Sequence, residues 1–405
     1  MNVLSIYSCA SRVNFQLLDM PSETVIAKGH VLRIGISGSC IYYHDIHTGY
    51  HHASYSITSH CDALKAIRDM LQYSDTSADA IRHSVSVIAH FISHGGTEGL
   101  GPVIISEASK DIVRKNIVLS DYRNIPALQG IEAAEHVFPD AVQVGVFDTS
   151  FAQTMEPKAY RYAVAPEYYD MGVRKYGSHG ITHEHVLETA CLQLKLPVEK
   201  QRMVICDIGT EVSICAVSCG HCIDVSSGFS PLEGPVMSAN CGACDAHVIE
   251  YIVRMSGKTL PEVMNTLNRQ SGIMALCDCL GHTEDMKYLL EHNDERAKLA
   301  VDMQVYSIQK YIGAYVAALQ GIDVLAFTGM HGVTNPMLRK AIASAFTYLG
   351  LELDEDINSS YQWQEQTATD ISGKQSKVKV IIVHKQDEAA LAMAAYKLCQ
   401  RNHRN

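Results

Sequence analysis

The sequence predicts an α/β protein that is divided into two domains. Its 405 residues exceed what one hydrophobic core usually supports, so two domains of ordinary size are expected. Short apolar segments that are typical of strands alternate with longer segments that are typical of helices in both halves of the chain, and this alternation indicates α/β architecture. A content of 47% hydrophobic and 19% charged residues is normal for a folded globular protein.

Three strand-like segments organise the first half of the chain. Val3 to Met20 is apolar except for the polar residues Ser8 to Arg12, which predicts two strands joined by a tight turn. Val85 to Phe91 is a strand-like run that breaks at a pair of glycines, where a loop is expected. Val142 to Phe147 is a short apolar strand that ends at Asp148.

The second half of the chain continues the alternation and becomes more helical towards its end. Strands are predicted over Met203 to Asp207, Val212 to Val217, His221 to Ser226 and Val324 to Thr328. Helices are predicted over His185 to Leu194, Ala246 to Met255, Leu260 to Gln270 and Glu295 to Leu319.

Charge and composition indicate the class of partner. The formal net charge is -11 and the isoelectric point is near 6.0, which argues against a nucleic-acid or anionic-membrane binder, because those proteins need a basic face. No apolar run has the length of a spanning helix, and Met1 to Arg12 lacks the pattern of a secretory signal. We therefore expect a cytoplasmic protein with small-molecule partners.

The cysteine count indicates the state of the thiols. The sequence has 13 cysteines, an odd number, which favours free thiols over a disulfide framework.

Several segments together resemble acetate kinase, and their order and spacing agree with that family. The resemblance extends from the opening hairpin to Asp387-Glu388, which makes it far more specific than an isolated glycine pattern. The matching segments are Val146-Phe-Asp-Thr-Ser-Phe-Ala-Gln-Thr-Met155, Arg174-Lys-Tyr-Gly-Ser-His-Gly-Ile-Thr-His183, Ser227-Gly-Phe-Ser-Pro-Leu-Glu-Gly234, Leu267-Asn-Arg-Gln-Ser-Gly272 and Tyr311-Ile-Gly-Ala-Tyr315.

The resemblance implies a two-lobed actin-like ATPase fold of the ribonuclease H-like type, with duplicated βββαβαβα-type domains and nucleotide bound between the lobes. The N-terminal lobe, on the acyl and phosphate side, is expected at 1–150 plus 386–405, because the C-terminal helix of the family returns to it. The C-terminal lobe, on the nucleotide side, is expected at 151–385 and implies a homodimer interface.

The resemblance also implies a reaction and its main residues. Acetate kinase converts acyl phosphate and ADP to carboxylate and ATP, with Mg²⁺, by positioning the reactants and neutralising charge on the transferred group. Asp148 is then expected to serve the acceptor carboxylate or the metal, His179 the transferred phosphoryl oxygens, and Glu388 the Mg²⁺. The implied partner is a small-molecule carboxylate or acyl phosphate.

The sequence departs from the family where phosphate would be held. The family's Asn-Ala-Gly-Ser-Ser-Ser turn is replaced by Tyr7-Ser-Cys-Ala-Ser-Arg12, and Phe91 and Asn240 stand where the family has arginines. Each lost cation or preorganised donor is expected to slow the reaction severely. Arg123, at the position of a catalytic histidine, and Arg12, at that of a serine, are possible replacements, although each could equally be a solvated surface arginine.

The nucleotide side is altered as well. Cys206-Asp-Ile-Gly-Thr-Glu-Val-Ser213 keeps Gly209 but stands where the family has a His-Leu-Gly-Asn-Gly phosphate loop, so Asp207 and Glu211 bring carboxylates towards a polyphosphate site. The residues expected to remain at the nucleotide site are Gly329 and Gly332 of the adenosine loop, Asp285, and Lys287 in place of an arginine.

The acyl pocket is expected to be more polar than that of the family. Ser93 and Ser178 occupy positions that are apolar in the family, whereas Pro231 is kept. A wider and more polar pocket favours an acid other than acetate.

Two cysteine pairs suggest a different chemistry. Cys219-x₂-Cys222 and Cys241-x₂-Cys244 are separated by 18 residues, the spacing of a four-cysteine zinc site. Further soft ligands are available at Cys277, Cys279, His282 and His331. Small buried cysteines explain the same residues without a metal or redox function.

Three functions therefore remain open. The first is a divergent carboxylate kinase, with an altered substrate as one possibility. The second is a catalytically impaired member of the family with a binding or regulatory role. The third is a zinc- or thiol-dependent protein on the same scaffold.

Overall fold

The computed structural model of this chain describes residues 1–73, 84–277, 283–362 and 367–402. They form two compact units: unit 1 is Met1–Gln153 with Gln386–Asn405, and unit 2 is Thr154–Lys385. Each unit is built on one mixed sheet with helices packed against it. Among the helices in these ranges, none is long and apolar enough to cross a bilayer.

Unit 1 contains an eight-stranded sheet in the order β5-β4-β3-β2-β1-β6-β8-β7. β1 to β5 form an antiparallel meander, and β6 and β8 add to it in parallel with β1. The strands are β1 (Asn2–Cys9), β2 (Arg12–Asp19), β3 (Thr24–Leu32), β4 (Cys40–Asp45), β5 (Gly49–Ser54), β6 (Val87–Ile92), β7 (Val103–Ile104) and β8 (Val142–Phe147).

Helices cover the sheet of unit 1. Leu4 and Ile6 of β1 belong to a core packed beneath α1 and α3, while α15 packs on β1, β2, β6 and β8. This arrangement follows from the alternation of side chains along a strand, since Ser5, on the opposite face, hydrogen-bonds the carbonyl oxygen of Glu388 in α15 at 2.6 Å. The helices are α1 (His60–Tyr73), α2 (Glu107–Lys115), α3 (Asp121–Val137) and α15 (Asp387–Asn402).

Unit 2 contains a six-stranded sheet in the order β11-β10-β9-β12-β14-β13. β9, β12 and β14 are mutually parallel at its centre, which places their carboxyl ends at one edge. The strands are β9 (Arg202–Ile208), β10 (Val212–Ser218), β11 (His221–Val225), β12 (Val324–Thr328), β13 (Ala368–Asp370) and β14 (Lys379–Val383).

The helices of unit 2 vary from single turns to the 25-residue helix α11. Asp294 caps α11 by accepting hydrogen bonds from the backbone N–H groups of Arg296 and Ala297. The helices are α4 (Pro157–Tyr160), α5 (Pro166–Asp170), α6 (Gly180–Leu194), α7 (Ala246–Ser256), α8 (Leu260–Arg269), α9 (Gly272–Cys277), α10 (Thr283–Glu291), α11 (Glu295–Leu319), α12 (Gly329–Thr334), α13 (Pro336–Ala343) and α14 (Glu355–Ser360).

Most of the predicted elements are confirmed, and α6 is longer than predicted. The segments Val142–Phe147, Glu295–Leu319 and Val324–Thr328 have the predicted bounds. α6 begins at Gly180 instead of His185, because the chain turns into the helix at His179, whose φ of 60° is left-handed. The added turn brings His179 and His183 onto one side of the helix start.

Candidate active site

The carboxyl edge of the central strands in unit 2 brings together several of the site residues that were predicted in this unit. β12 pairs with β9 so that Thr328 lies opposite Asp207, and Gly329 follows directly. Lys385 lies two residues beyond the end of the neighbouring strand β14. This edge therefore brings together the segment of Asp207, the segment of Gly329 and the last residue of unit 2, Lys385.

An ionic cluster occupies this edge. The Nδ1 atom of His179 lies 2.7 Å from Oδ2 of Asp207, and its Nε2 atom lies 3.3 Å from Oε2 of Glu211. The Nζ atom of Lys385 lies 3.0 Å from the same Oδ2 atom of Asp207. Asp207 is buried, with a side chain that is 2% exposed, whereas Glu211 is partly open to solvent. We call these four residues the His179 cluster.

Electrostatics fix the charges of the His179 cluster. Burial opposes a charged imidazole, but the hydrogen bonds to Asp207 and Glu211 outweigh burial and raise the pKa of His179 to about 10. Burial also disfavours the Asp207 carboxylate, yet the positive charges of Lys385 and His179 hold the pKa of that carboxyl well below its usual range. At neutral pH the cluster therefore contains two cations and two anions.

His183, near the start of α6, has the opposite charge state to His179. His183 is buried and its Nε2 atom lies 2.9 Å from Oγ of Ser213. Burial, assisted by the positive charge of His179, lowers the pKa of His183 to about 3. His183 is thus neutral, and it supports the site by packing and by its bond to β10.

The glycines of the nucleotide segments differ in what they require. Gly329 has a φ of +75°, and a Cβ atom there would lie 2.4 Å from Oδ1 of Asp207. A Cβ atom on Gly332 would meet nothing closer than 3.7 Å, and one on Gly209 nothing closer than 3.6 Å. Only at Gly329, of these three positions, do conformation and space both demand glycine.

A buried arginine holds the α12 turn in place. Arg339 is 0% exposed, and its Nη1 atom donates to the carbonyl oxygens of Gly332 and Val333 at 2.9 and 2.7 Å. Its Nε and Nη2 atoms donate to the side chain and the carbonyl of Asn358. Burial lowers the pKa of Arg339 to about 10. The guanidinium thus links the adenosine-loop segment to α14.

A largely apolar cavity of about 690 Å³ lies beside α12. It is lined by residues from α10, α11, α12 and α13, among them Met286, Val305, His331 and Leu338. Met286 and His331 come from two segments in which the sequence predicted nucleotide-binding residues. The side chains of Asp285 and Lys287 lie outside the described residues.

Asn240 binds its own loop. Its Nδ2 atom donates to the carbonyl oxygen of Pro231 at 3.2 Å, and its Oδ1 atom accepts from the backbone N–H of Gly242 at 2.8 Å. The side chain is buried, so both amide groups are committed to the backbone. Ser178, the other acyl-pocket residue predicted in this unit, is half-buried beside His179.

In unit 1, two departures from the family contact each other. The rings of Tyr7 and Phe91 meet edge to face, with centroids 4.4 Å apart and an interplanar angle of 71°. The pairing of Ile6 with His90 in adjacent parallel strands explains this contact, because Tyr7 and Phe91 are the next residues along. An aromatic pair therefore occupies the two positions at which the resemblance implies an asparagine and an arginine.

Two further predicted site residues of unit 1, Ser93 and Asp148, lie at the ends of neighbouring strands. Ser93 and Asp148 directly follow the paired residues Ile92 and Phe147, and Asp148 is buried, with its backbone N–H donating to the carbonyl of Ile92 at 2.8 Å. Ser93 accepts a hydrogen bond from the hydroxyl of Ser120 at 3.3 Å. These contacts place Ser93 and Asp148 at one edge of the sheet.

The cationic candidates and Glu388 lie elsewhere in unit 1. Glu388 is in the first turn of α15. The guanidinium of Arg123, in the first turn of α3, lies over the ring of Tyr122 at 5.2 Å. Arg12 is exposed at the start of β2.

The structure does not support the alternative of a four-cysteine zinc site. No group of three or more ligand-type side chains that could hold a metal occurs among the described residues, which include Cys219, Cys222, Cys241 and Cys244. Cys219 is exposed at the β10–β11 turn, while Cys222 is buried and its Sγ atom lies 3.5 Å from that of Cys215. Cys219 and Cys222 thus lie in different environments, one exposed at a turn and the other buried in the sheet. Cys279 and His282 lie outside the described residues.

Sequence reasoning missed Lys385 and Ser213. The signal for Lys385 was its position just after a buried parallel strand, since the carboxyl ends of parallel strands share an edge with Asp207. Ser213 pairs with Asp207 in the β9–β10 ladder, but its bond to His183 could be found only once α6 was known to begin at Gly180.

Comparison with known proteins gives a consistent family assignment. The family model of the Acetokinase family matches residues 2–393. An acetate kinase of Heliobacterium modesticaldum is 33% identical over 399 residues, covering 98% of this chain and 99% of that protein. An acetate kinase of Carboxydothermus hydrogenoformans is 34% identical over 401 residues, covering 98% of this chain and 99% of that protein.

Solved structures agree. The crystal structure of Porphyromonas gingivalis acetate kinase superposes with a TM-score of 0.92 at 31% identity, over 98% of this chain and 99% of that one. A propionate kinase of Francisella tularensis superposes with a TM-score of 0.88 at 27% identity, with the same coverage of both chains. The fold is therefore the actin-like ATPase fold of these kinases, and the chain is a member of the acetokinase family of phosphotransferases.

Proposed function

We propose that this member of the acetokinase family binds an adenine nucleotide but transfers a phosphoryl group between acyl phosphate and ADP far more slowly than an ordinary kinase. The observation that carries the proposal is the pairing of His179 with Asp207 at 2.7 Å. His179 is the residue expected to contact the transferred phosphoryl oxygens. Its charge is neutralised here by a buried carboxylate of the protein itself.

The charge balance of the His179 cluster opposes polyphosphate. Phosphoryl transfer depends on cations and preorganised donors that are free to face the negative oxygens. Here His179 and Lys385 both contact Asp207, and Glu211 adds a second carboxylate. A nucleotide phosphate approaching this edge would have to compete with Asp207 for its partners. Loss of one preorganised donor typically costs a factor of about 10² to 10³ in rate.

The aromatic pair of unit 1 supports the same conclusion. Phe91 supplies no charge, and its ring packs against Tyr7. An arginine that faces transition-state charge is worth about 10³ to 10⁵ in rate. Asn240 stands at the second position where the resemblance implies an arginine. Its side-chain amide is hydrogen-bonded to the backbone of Pro231 and Gly242. The proposal assigns no compensating role to Arg12 or Arg123.

Nucleotide binding is supported on the side of the base. The cavity beside α12 has the size and apolar lining of a small-molecule pocket. Arg339 anchors the α12 turn that lines it, and Gly329 allows that turn to pass close to Asp207. We assign the adenine and ribose to this cavity, with Gly209, Gly332, Asp285 and Lys287 near them.

Magnesium fits the residues of unit 1 in part. Asp148 and Glu388 provide the carboxylate oxygens that Mg²⁺ prefers, and Mg²⁺ commonly takes few protein ligands beside water and phosphate. When bound, the ion would neutralise charge on the nucleotide phosphates. The buried position of Asp148 suits a fixed ligand. As in the family, we also propose a homodimer.

A second candidate is transfer to a more polar acid. It is favoured by the hydrogen bond between Ser120 and Ser93, which makes this side of the predicted acyl pocket polar. In unit 2, Ser178 and Pro231 are the residues at which the resemblance implies contacts with the acid. A hydroxylated or longer carboxylate would then be a better substrate than acetate. A purely regulatory protein is the limiting case in which no acid reacts.

A paired measurement tests these functions. ADP and ATP are titrated calorimetrically with Mg²⁺, and acyl phosphate formation is then assayed with acetate, propionate and hydroxylated acids. We expect ADP to bind, ATP to bind more weakly, and turnover to be low with every acid. Asp207→Asn, which removes a negative charge from the His179 cluster, should raise the affinity for ATP by about tenfold or more. Absence of ADP binding would contradict the proposal, and rapid turnover of one polar acid would establish the second candidate.

A further inference from the structure

Cys241 and Cys244 lie three residues apart in a tight loop of unit 2, between Asn240 and α7. Cys244 is exposed and Cys241 is half-buried, and the thiol of Cys241 donates to the carbonyl oxygen of Gly242 at 3.1 Å, within the turn that leads to Cys244. We propose that this pair is a reversible modification site, at which a small-molecule disulfide oxidises the two thiols to an intramolecular disulfide. The proposal does not depend on kinase activity.

The backbone of the loop that carries the two cysteines is fixed by a turn and by hydrogen bonds. Gly242 makes the turn with a φ of +73°. The N–H of Cys241 donates to the carbonyl of Leu267 at 3.0 Å, and the N–H of Ala243 donates to the carbonyl of Gly234 at 2.9 Å. Because these bonds hold the loop from both sides, bond formation between the sulfurs requires side-chain rotation more than backbone movement.

The accessibility of Cys244 distinguishes this pair from the other close pair. The Sγ atoms of Cys215 and Cys222 lie 3.5 Å apart, but both residues are fully buried in the sheet. Burial raises the pKa of Cys215 well above its usual value, so its reactive thiolate is scarce. Cys219 is exposed, and the side chain it contacts is that of Ser218.

The chemistry takes two exchange steps. The thiolate of Cys244 attacks the external disulfide, forms a mixed disulfide and releases one thiolate of the reagent. The thiolate of Cys241 then attacks the Cys244 sulfur, which closes the ring and releases the second thiolate. The two cysteines are oxidised, and the external disulfide is reduced to two thiols. Each released thiolate takes up a proton lost by one cysteine.

The order of the steps follows from burial. Burial, with the neighbouring Cys244, raises the pKa of Cys241 to about 11. Since only the thiolate attacks, Cys241 is the slower nucleophile and acts second. The ring-closing step should therefore accelerate by about tenfold per pH unit between pH 7 and pH 9.

Closure of the ring would act on the neighbouring loop. A Cβ atom at Gly242 would lie 2.8 Å from the carbonyl oxygens of Gly234 and Pro235, so the turn is tightly packed. Gly242 also donates its N–H to Asn240, which in turn binds Pro231. We expect the disulfide to slow hydrogen exchange of the amides of Gly242 and Ala243.

The test uses oxidised glutathione with the full-length protein. After incubation, free thiols are alkylated and peptides are identified by mass. The wild type should lose alkylation at both Cys241 and Cys244, gain no glutathione there, and recover on addition of dithiothreitol. Cys241→Ser should stop with glutathione attached to Cys244, and Cys244→Ser should leave Cys241 alkylatable. Cys219→Ser is the matched control and should behave as the wild type at both positions.

Two results would overturn the proposal. One is a wild-type protein that keeps glutathione on Cys244 while Cys241 still alkylates at pH 9. The other is full alkylation of both cysteines after oxidation. If either serine variant unfolds, the wild-type rate of ring closure from pH 7 to pH 9 decides the question, because a rate independent of pH contradicts the assignment of Cys241 as the second nucleophile.

Discussion

The Nδ1 atom of His179 lies 2.7 Å from Oδ2 of Asp207, and the same oxygen lies 3.0 Å from Nζ of Lys385. A single buried carboxylate thus engages both cations at the carboxyl edge of the unit 2 sheet. Such an arrangement is electrostatically satisfied without a ligand, and in a low-dielectric site it is costly to disrupt. The proposed loss of phosphoryl transfer follows from this pairing.

The His179 pair should make stability fall in alkali. The folded pKa of His179 is about 10 against an ordinary value of 6.5, so its contribution is complete below about pH 6.5 and is lost as the pH rises towards 10. Asp207→Asn removes the main partner and should lower the stability more at pH 6 than at pH 9. Urea unfolding at these two pH values measures the difference.

Asp370→Asn is the control for that experiment. Asp370 pairs with Lys379 at 2.9 Å and accepts from the backbone N–H of Ser372, and no histidine among the described residues is paired with it. Its loss should lower the free energy of unfolding by similar amounts at pH 6 and pH 9. An equal pH dependence of the two variants would show that His179 is not held charged by Asp207.

Two glycines of the adenosine loop should respond differently to alanine. Gly329→Ala combines a left-handed φ with a Cβ atom 2.4 Å from Asp207, and we expect it to cost more than about 2 kcal/mol of stability. Gly332→Ala has 3.7 Å of space and a helical position, so it should be neutral or slightly stabilising. Thermal unfolding of both variants checks this contrast, which equal destabilisation would refute.

The contact between Tyr7 and Phe91 should be measurable as a coupling energy. Edge-to-face aromatic pairs contribute about 0.5 to 1.5 kcal/mol beyond the area they bury. A double-mutant cycle with Tyr7→Leu and Phe91→Leu, followed by chemical denaturation, should give a coupling in that range. A coupling of zero would mean that the two rings do not support each other.

Arg339 should be among the most sensitive positions of unit 2. Arg339→Met leaves the buried carbonyls of Gly332 and Val333 without their donor, and each such group costs about 1 to 3 kcal/mol. Lys340→Met, beside it, removes an exposed ion pair with Glu355 and should cost no more than about 1 kcal/mol. Denaturation curves and ADP titrations of the two variants are compared. A larger loss in Arg339→Met than in Lys340→Met shows that the buried hydrogen bonds of Arg339 matter, and not the loss of one positive charge alone.

Much of the fold follows from local sequence patterns. Long periodic helices such as Glu295–Leu319 and short apolar strands such as Val324–Thr328 were predicted at their observed bounds, because burial and periodicity dominate there. The start of α6 was not predicted correctly, because the hydrophobic pattern does not reveal the left-handed backbone conformation of His179. The family resemblance, now shown by comparison, supplied what periodicity alone could not.

Site geometry was less predictable than site composition. The sequence showed that the carboxylates of Asp207 and Glu211 are unfavourable in a phosphate site. Their contacts with His179 could not be predicted, because they depend on the positions of side chains from separate segments. The contact between Tyr7 and Phe91 likewise depends on the parallel register of β1 and β6. The cysteine spacing alone could not decide between a metal site and separate thiols, because a motif in sequence does not say which thiols come together in the fold.

The rate of ATP formation by the wild-type protein from acetyl phosphate and ADP, with Mg²⁺ in excess, tests the central claim most directly. Kinases commonly turn over at about 1 to 100 per second, and the loss of donors around His179 and Phe91 predicts a rate at least about 10³-fold lower. A rate within the ordinary range would contradict the account, because it would mean that Asp207 releases His179 to the phosphoryl group during turnover.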